Sequence, residues 1–235
     1  MKGLIDFLET EKPDFITEVI ADCSEFHKGI CHYAREVIFR EDAAVNVYEI
    51  NGSDETEFAG KIWLELLTLK SERMRAVMLH HLSNPKFFFS SDNKMLHYKR
   101  VGEYLYVADS CNHRTALVKA LFYKEEKNSL SQVKLTEYNI DEHLAETHKL
   151  MKSTLKEKGL NIPSRIIIRK TREKQGIGWK VERLTPLIQI SNPKKRESLL
   201  LKSPDVIDFI SEINSAPALR ILRTNRYAKF LRGTG

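Results

Sequence analysis

Apolar positions recur at helical spacing at Phe7, Leu8, Phe15, Ile16, Val19 and Ile20, again at Ile62, Trp63, Leu66 and Leu67, and once more at Met74, Val77 and Met78. Residues 1–82 are therefore expected to be mainly helical. Val45–Ile50 is the exception and reads as a short strand closed by the turn residues Asn51, Gly52 and Ser53. Asn84-Pro85 ends this region. Phe87–Phe89 is then an apolar run suited to a core, and His97–Val101 and Tyr104–Ala108 read as strands joined by the tight turn Gly102-Glu103, hence a hairpin. Thr115–Lys124 returns to helical spacing with Ala116, Leu117, Ala120 and Leu121 inward, and Val133–Ile140 alternates as a further strand.

Beyond this middle region, 83–142, lies a third, 143–235. Glu142–Lys158 is a charged helix stopped by Gly159, with Pro163 following. Arg165–Lys170 and Trp179–Ile190 flank the turn-rich Lys174–Gly178 and read as a second hairpin. Two helices close the chain: Pro204–Ile213, capped by Ser203, and Leu219–Leu231 after an Asn-Ser-Ala-Pro turn. The expected class is α+β: a helical N-terminal region, a small α/β unit, and a C-terminal hairpin with helices.

Composition narrows the function classes. Hydrophobic residues make up 42% and charged residues 30%, which suits a globular chain rather than a disordered one. No apolar run is long enough to span a bilayer, and the start MKGLIDFLETEK carries acids where a signal peptide has an apolar centre, so a cytoplasmic protein without a membrane partner is expected. Cys23, Cys31 and Cys111 are an odd number without metal-ligand spacing and are expected to be reduced thiols. His143 and His148 lie five apart, which does not bring two imidazoles onto one helix face, so no metal site is expected.

Charge is distributed unevenly. The net charge is +6, but residues 151–235 hold 19 Lys and Arg against 7 Asp and Glu, a balance of +12, whereas the first 150 residues stand at −6. A basic third on an acidic body points to a polyanion partner, and DNA is the expected one. Its contacts fall to Arg165, Arg169, Lys180 and Arg183 at alternate positions of the second hairpin. On the last helix they fall to Arg220, Arg223, Arg226, Lys229 and Arg232, which recur every three residues and lag by about 60° per step, suiting a phosphate backbone. A homodimer is compatible with this reading.

The chemistry gathers in Tyr104–Tyr123, YLYVADSCNHRTALVKALFY, where a strand gives way to a helix through Asp109, Ser110, Cys111, Asn112, His113 and Arg114. A helix start presents free backbone N–H groups and the positive end of the dipole, and there Arg114 is unfavourable unless an anion sits beside it. A phosphate held by Asn112, His113, Arg114 and Thr115 is the expected ligand. Asp109 is placed either to hold Arg114 or to carry a metal ion, and His113 to contact phosphate or move a proton. The plainer alternative is an Asp109–Arg114 ion pair with Asn112 capping and nothing bound.

The segment VADSCNHRTALVKAL also resembles the ParB/sulfiredoxin-like superfamily, in which a V-x-D strand end and a short polar turn such as D-G-N-H-R open an apolar helix. The resemblance covers residues 85–141. It implies a nucleoside triphosphate with Mg²⁺, CTP or ATP, at Asn112–Arg114. It also implies a DNA-binding protein of plasmids or mobile elements, acting in partitioning, regulation or processing. An enzyme of the same superfamily, a nucleotide hydrolase, phosphotransferase or nuclease, is the alternative, as is a protein-interaction module without ligand. Asp109 and His113 are then the candidate catalytic residues, with Cys111 a third whose thiolate Arg114 and the helix start would favour. Where the family has Gly before the polar pair, this chain has Ser110-Cys111.

If the basic third contacts phosphates, DNA affinity falls steeply with rising salt, because bound counterions are released, and falls strongly when residues from Lys194 onward are deleted. Fluorescence anisotropy over a salt series checks this; an affinity that ignores salt overturns it.

Overall fold

The computed structural model describes residues 2–89, 95–192, 195–215, 227 and 230. Seven α-helices and nine β-strands are present among them, an α+β fold with a mixed sheet. The chain divides into two units, one of residues 1–29, 37–139 and 173–182, the other of 30–36, 140–172 and 183–235.

The first unit holds α1 (Lys2–Glu11), α2 (Ser24–Ile30), α3 (Trp63–Thr68), α4 (Glu72–Ser83) and α5 (Asn112–Lys124). Its strands are β1 (Ala21–Asp22), β2 (Ala34–Asn46), β3 (Ile50–Ser53), β4 (His97–Val101), β5 (Tyr104–Ala108) and β6 (Ser129–Ile140), with the tip of the hairpin β7 (Ser164–Gly176) and β8 (Trp179–Asn192). They are ordered β1-β3-β5-β4-β6-β2-β8-β7. β4 and β5 form the expected antiparallel hairpin, while β6 runs parallel to β4 and β3 parallel to β5. Hairpin, helix and strand thus follow one another as the alternation of residues 97–140 suggested.

Three differences concern residues 1–82. Helical segments still outweigh strands there, but Ala34–Asn46 is a 13-residue strand that the helical spacing did not show. Charged Arg35, Arg40, Glu41 and Asp42 mask its alternation, and only Ala34, Val37, Ala43 and Val45 are buried. The strand expected at Val45–Ile50 stops at Asn46, whose side-chain oxygen accepts from the Tyr48 N–H at 3.1 Å and turns the chain. Asn51-Gly52-Ser53 is no turn but part of β3. It fits there because a Cβ at Gly52 would collide with Cys23 Sγ and lie 2.9 Å from the Ala21 carbonyl, so only glycine allows β1 to pair so closely.

The core of this unit surrounds α5. Beyond the four residues expected inward, Val118, Lys119 and Phe122 are buried too, since α5 packs against α1, α3 and α4 as well as the sheet. Lys119 is fully buried. Its ammonium lies 3.8 Å from Glu18 and over the rings of Trp63, at 4.6 Å, and Phe15, at 5.8 Å, without a hydrogen bond among the described residues. Burial pulls its pKa from 10.5 down to about 8, against the opposing pull of Glu18.

In the second unit, α6 (Glu142–Glu157) and α7 (Ser203–Ser215) pack together through Leu144, Met151, Leu155, Val206 and Phe209. Asp141 caps α6 by accepting from the Leu144 N–H at 3.0 Å and pairs with Arg35 at 2.7 Å. His148 is buried between the Tyr33 hydroxyl (2.7 Å) and the Ser164 hydroxyl (2.9 Å), and burial drives its pKa down to about 4. A strand absent from the sequence reading, β9 (Glu197–Leu201), pairs antiparallel with β8. Ser203 does not cap α7: its hydroxyl is buried without a partner among the described residues, and Asp205 accepts from the Lys202 N–H at 3.2 Å instead. Of the expected helix Leu219–Leu231 only Tyr227 and Phe230 are described, so Arg220, Arg223, Arg226, Lys229 and Arg232 lie outside the described residues.

Lys119 carries a pH signature. Its folded pKa lies below its unfolded one, so between about pH 8 and 10.5 the unfolded chain binds a proton that the folded chain does not, and stability rises with pH across that window. Lys119→Met is expected to stabilise the protein at neutral pH by on the order of 2–3 kcal/mol, and by much less near the top of the window. Thermal melts at both pH values check this; an equal difference at each overturns it.

Candidate functional site

The polar cluster sits where β5 becomes α5, and the backbone there is unusual. Asp109 and Ser110 both take left-handed conformations, with φ of 53° and 58°, each costing a non-glycine residue about 1–2 kcal/mol. Cys111 follows as the residue before the helix, and Asn112 is already its first helical residue, not its cap.

Asp109 does not hold Arg114. The β4–β5 register sets His97 opposite Ala108, one residue short of Asp109, and the carboxylate meets His97 Nδ1 at 2.5 Å. His97 Nε2 continues to the Thr136 hydroxyl at 2.9 Å. The His97 hydrogen bond, aided by the charges of His97, Lys99 and Lys134, holds the Asp109 pKa below the usual carboxylate range. Asp109 is therefore a standing anion and hydrogen-bond acceptor.

Cys111 is buried, and its thiol donates weakly to the carbonyls of Met95 (3.3 Å) and Asp109 (3.4 Å). Burial raises its pKa in spite of Arg114, opposite to the thiolate the sequence suggested, because lost hydration outweighs a neighbouring cation. Asn112, also buried, donates its amide to Glu55 Oε2 at 2.8 Å, and its own carbonyl oxygen has no partner among the described residues. Thr115 points into the core, where its hydroxyl donates to the Cys111 carbonyl at 3.0 Å and meets the Tyr98 hydroxyl at 3.1 Å. Neither Asn112 nor Thr115 is placed as the expected phosphate contact.

His113 and Arg114 do face a common space. A cavity of about 460 Å³ opens at the start of α5, lined by Asp109, Ser110, His113 and Arg114 and, from α4, by Arg73, Val77 and His80, with Phe88 and Met95. His113 is nearly buried, edge-on to Phe58 and 3.2 Å from the Ser71 hydroxyl; burial, with Arg73 nearby, lowers its pKa and keeps it neutral. Arg114 is half-buried and has no carboxylate partner among the described residues. Arg73 meets Glu57 at 3.1 Å in an exposed pair. Two guanidiniums and a helix start thus line the cavity together with apolar Val77, Phe88 and Met95. This suits an anion carrying a less polar body.

The α4 residues were missed in the sequence, although Arg73, Val77 and His80 stand at i, i+4 and i+7 and share a face. His97, Glu55 and Ser71 carried no local signal. Among the described residues no three His, Cys, Asp or Glu side chains stand close enough to hold a metal ion together.

The second hairpin is less free than its spacing suggested. Arg165 donates to Gln189 at 2.7 Å, and Arg183 lies 3.5 Å from Glu36. Lys180 pairs with Glu182 at 2.5 Å and lies over the Phe39 ring. Arg169 is exposed. No helix among the described residues is long and apolar enough to cross a membrane.

The thiols offer a check on this chemistry. Iodoacetamide at neutral pH is expected to modify half-exposed Cys31 first, with Cys111 and Cys23 protected until the protein unfolds, since burial raises both and takes Cys23 to about 11. Mass mapping reads the order, and early loss of Cys111 would contradict the buried-thiol geometry.

Compared with known proteins, the chain matches no family model, no curated protein and no solved structure.

Proposed function

We propose that the cavity at the start of α5 binds a nucleotide through its phosphates and that the protein is a DNA-binding protein whose action this ligand controls. The observation carrying the reading is Arg114: a half-buried guanidinium at a helix start, without a carboxylate partner, sharing a cavity with Arg73 and His80. Such a place repels a cation unless an anion completes it. Asp109, kept ionised beside His97, is the carboxylate available to a Mg²⁺ ion accompanying a triphosphate. Phe88, Val77 and Met95 give the wall against which a base would lie.

The order of hairpin, helix and strand around the turn supports kinship with the ParB/sulfiredoxin-like superfamily, and with it a role in partitioning, regulating or processing plasmid or mobile-element DNA. The +12 balance of residues 151–235 supports DNA as the polyanion, with exposed Arg169 among its contacts. The protonated, buried Cys111 favours phosphate binding over thiolate chemistry at the same turn. Cysteines not joined in disulfides among the described residues agree with a cytoplasmic setting.

Calorimetric titration with CTP, ATP and GTP, each with Mg²⁺, tests the reading. One nucleotide is expected to bind with micromolar order. Arg114→Ala and Arg73→Ala are each expected to weaken it by about 1.5–3 kcal/mol, the range for hydrogen bonds to charged groups, while the melting of each free variant shifts little. Absence of binding by all three nucleotides overturns the proposal.

A further inference from the structure

We infer that Glu55, a half-buried residue between β3 and α3, is a positioning residue for this cavity: its carboxylate clamps the Asp109–Asn112 turn in the form that presents Ser110 and the start of α5 to the ligand. The inference rests on the phosphate-binding reading, and its test is arranged to separate the two.

The turn needs a restraint. Two consecutive left-handed residues, neither of them glycine, would relax toward ordinary conformations if nothing held them. The Glu55 carboxylate supplies the hold at two points. Oε1 accepts from the Ser110 hydroxyl at 2.5 Å, and Oε2 accepts from the Asn112 amide at 2.8 Å, so the two oxygens straddle Cys111. Both are charge-assisted bonds, stronger than neutral ones. Glu55 is itself tied down: its N–H donates to the hydroxyl of buried Ser53 at 3.0 Å, and the adjoining Asp54 N–H donates to the Val107 carbonyl at 3.1 Å. The clamp therefore runs from the end of β3 across to the turn after β5.

The clamp needs a side chain with two hydrogen-bonding end atoms, and the carboxylate sets how its partners turn. Asn112 must present its N–H₂ to Glu55, and this leaves its carbonyl oxygen buried without a partner. An acidic residue beside an anion site is unfavourable by charge alone, so what Glu55 offers there is geometry. Where a glycine before the polar pair would adopt the left-handed form freely, Ser110 reaches it with the help of Glu55.

The test combines Glu55→Ala, Glu55→Gln, Ser110→Gly and the Glu55→Ala/Ser110→Gly pair. The readouts are calorimetry with CTP, ATP and GTP, each with Mg²⁺, and amide exchange of residues 110–113 without nucleotide. Glu55→Ala is expected to weaken nucleotide binding roughly tenfold and to speed exchange at the turn. Glu55→Gln should stay within about threefold of wild type, because it accepts from Ser110 and Asn112 can rotate to offer its oxygen. With Ser110→Gly in place, adding Glu55→Ala should cost less than about threefold, as glycine removes the strain that the clamp opposes. A general structural role for Glu55 predicts no such rescue. Equal or tighter binding by Glu55→Ala, or a full loss in the Ser110→Gly background, overturns the clamp. A wild-type protein that binds none of the three nucleotides defeats the phosphate reading, and the clamp is then decided by exchange alone, unchanged rates in Glu55→Ala refuting it.

Discussion

Helix α5 has almost no solvent face, and the first unit is arranged around that constraint. A helix buried on all sides must satisfy its polar groups internally, and Thr115 does so, its hydroxyl lying between Tyr98 and the Cys111 carbonyl. Lys119, forced into the same environment, has among the described residues two aromatic faces and Glu18 at 3.8 Å for company. The helix is therefore immobile in register, and its first turn is fixed with it. Whatever chemistry the polar cluster performs is held on a rigid element rather than on a loop.

That rigidity gives the turn before α5 its character. Because β5 and α5 are both locked, Asp109–Cys111 must bridge a set distance and direction with three residues, and two of them adopt left-handed backbone. The side chains then sort by what lies near them. Asp109 is taken by His97 from the neighbouring strand, Asn112 and Ser110 by Glu55, and Cys111 by carbonyls in the core. Only His113 and Arg114 are left facing the cavity with Asp109 and Ser110. The cluster of six hydrogen-bonding groups is thus divided between support and ligand contact, and most of it is support.

Electrostatics follow the same division. Arg114 lies close enough to Cys111 to oppose the rise in its pKa, yet burial prevails, since desolvating a thiolate costs more than one half-buried cation returns. Asp109 shows the reverse: with a side chain 69% exposed, it loses little hydration, and a hydrogen bond from His97 is enough to keep it ionised. On the second hairpin, Arg183 and Lys180 are matched by acids, so alternation of cations along a strand does not by itself make a free phosphate track.

The sequence alone determined those elements whose signals are local. The β4–β5 hairpin, α5, β6, α6 and the β7–β8 hairpin could be read because apolar spacing, the Gly102 turn and the Gly159 stop all act over a few residues. Arg114 could be singled out for the same reason, as helix-end electrostatics is a local matter. Tertiary structure decided what depends on pairing. Ala34–Asn46 is a strand through its sheet neighbours, despite a charged centre that breaks the alternation, and β1 and β3 are too short to announce themselves. It likewise decided who partners whom in the site: Glu55 reaches Asn112 across 57 positions, His113 meets Ser71 across 42, and Thr136 meets His97 across 39. No spacing rule extends over such separations, because a side chain's partner there is set by where the folded backbone delivers it.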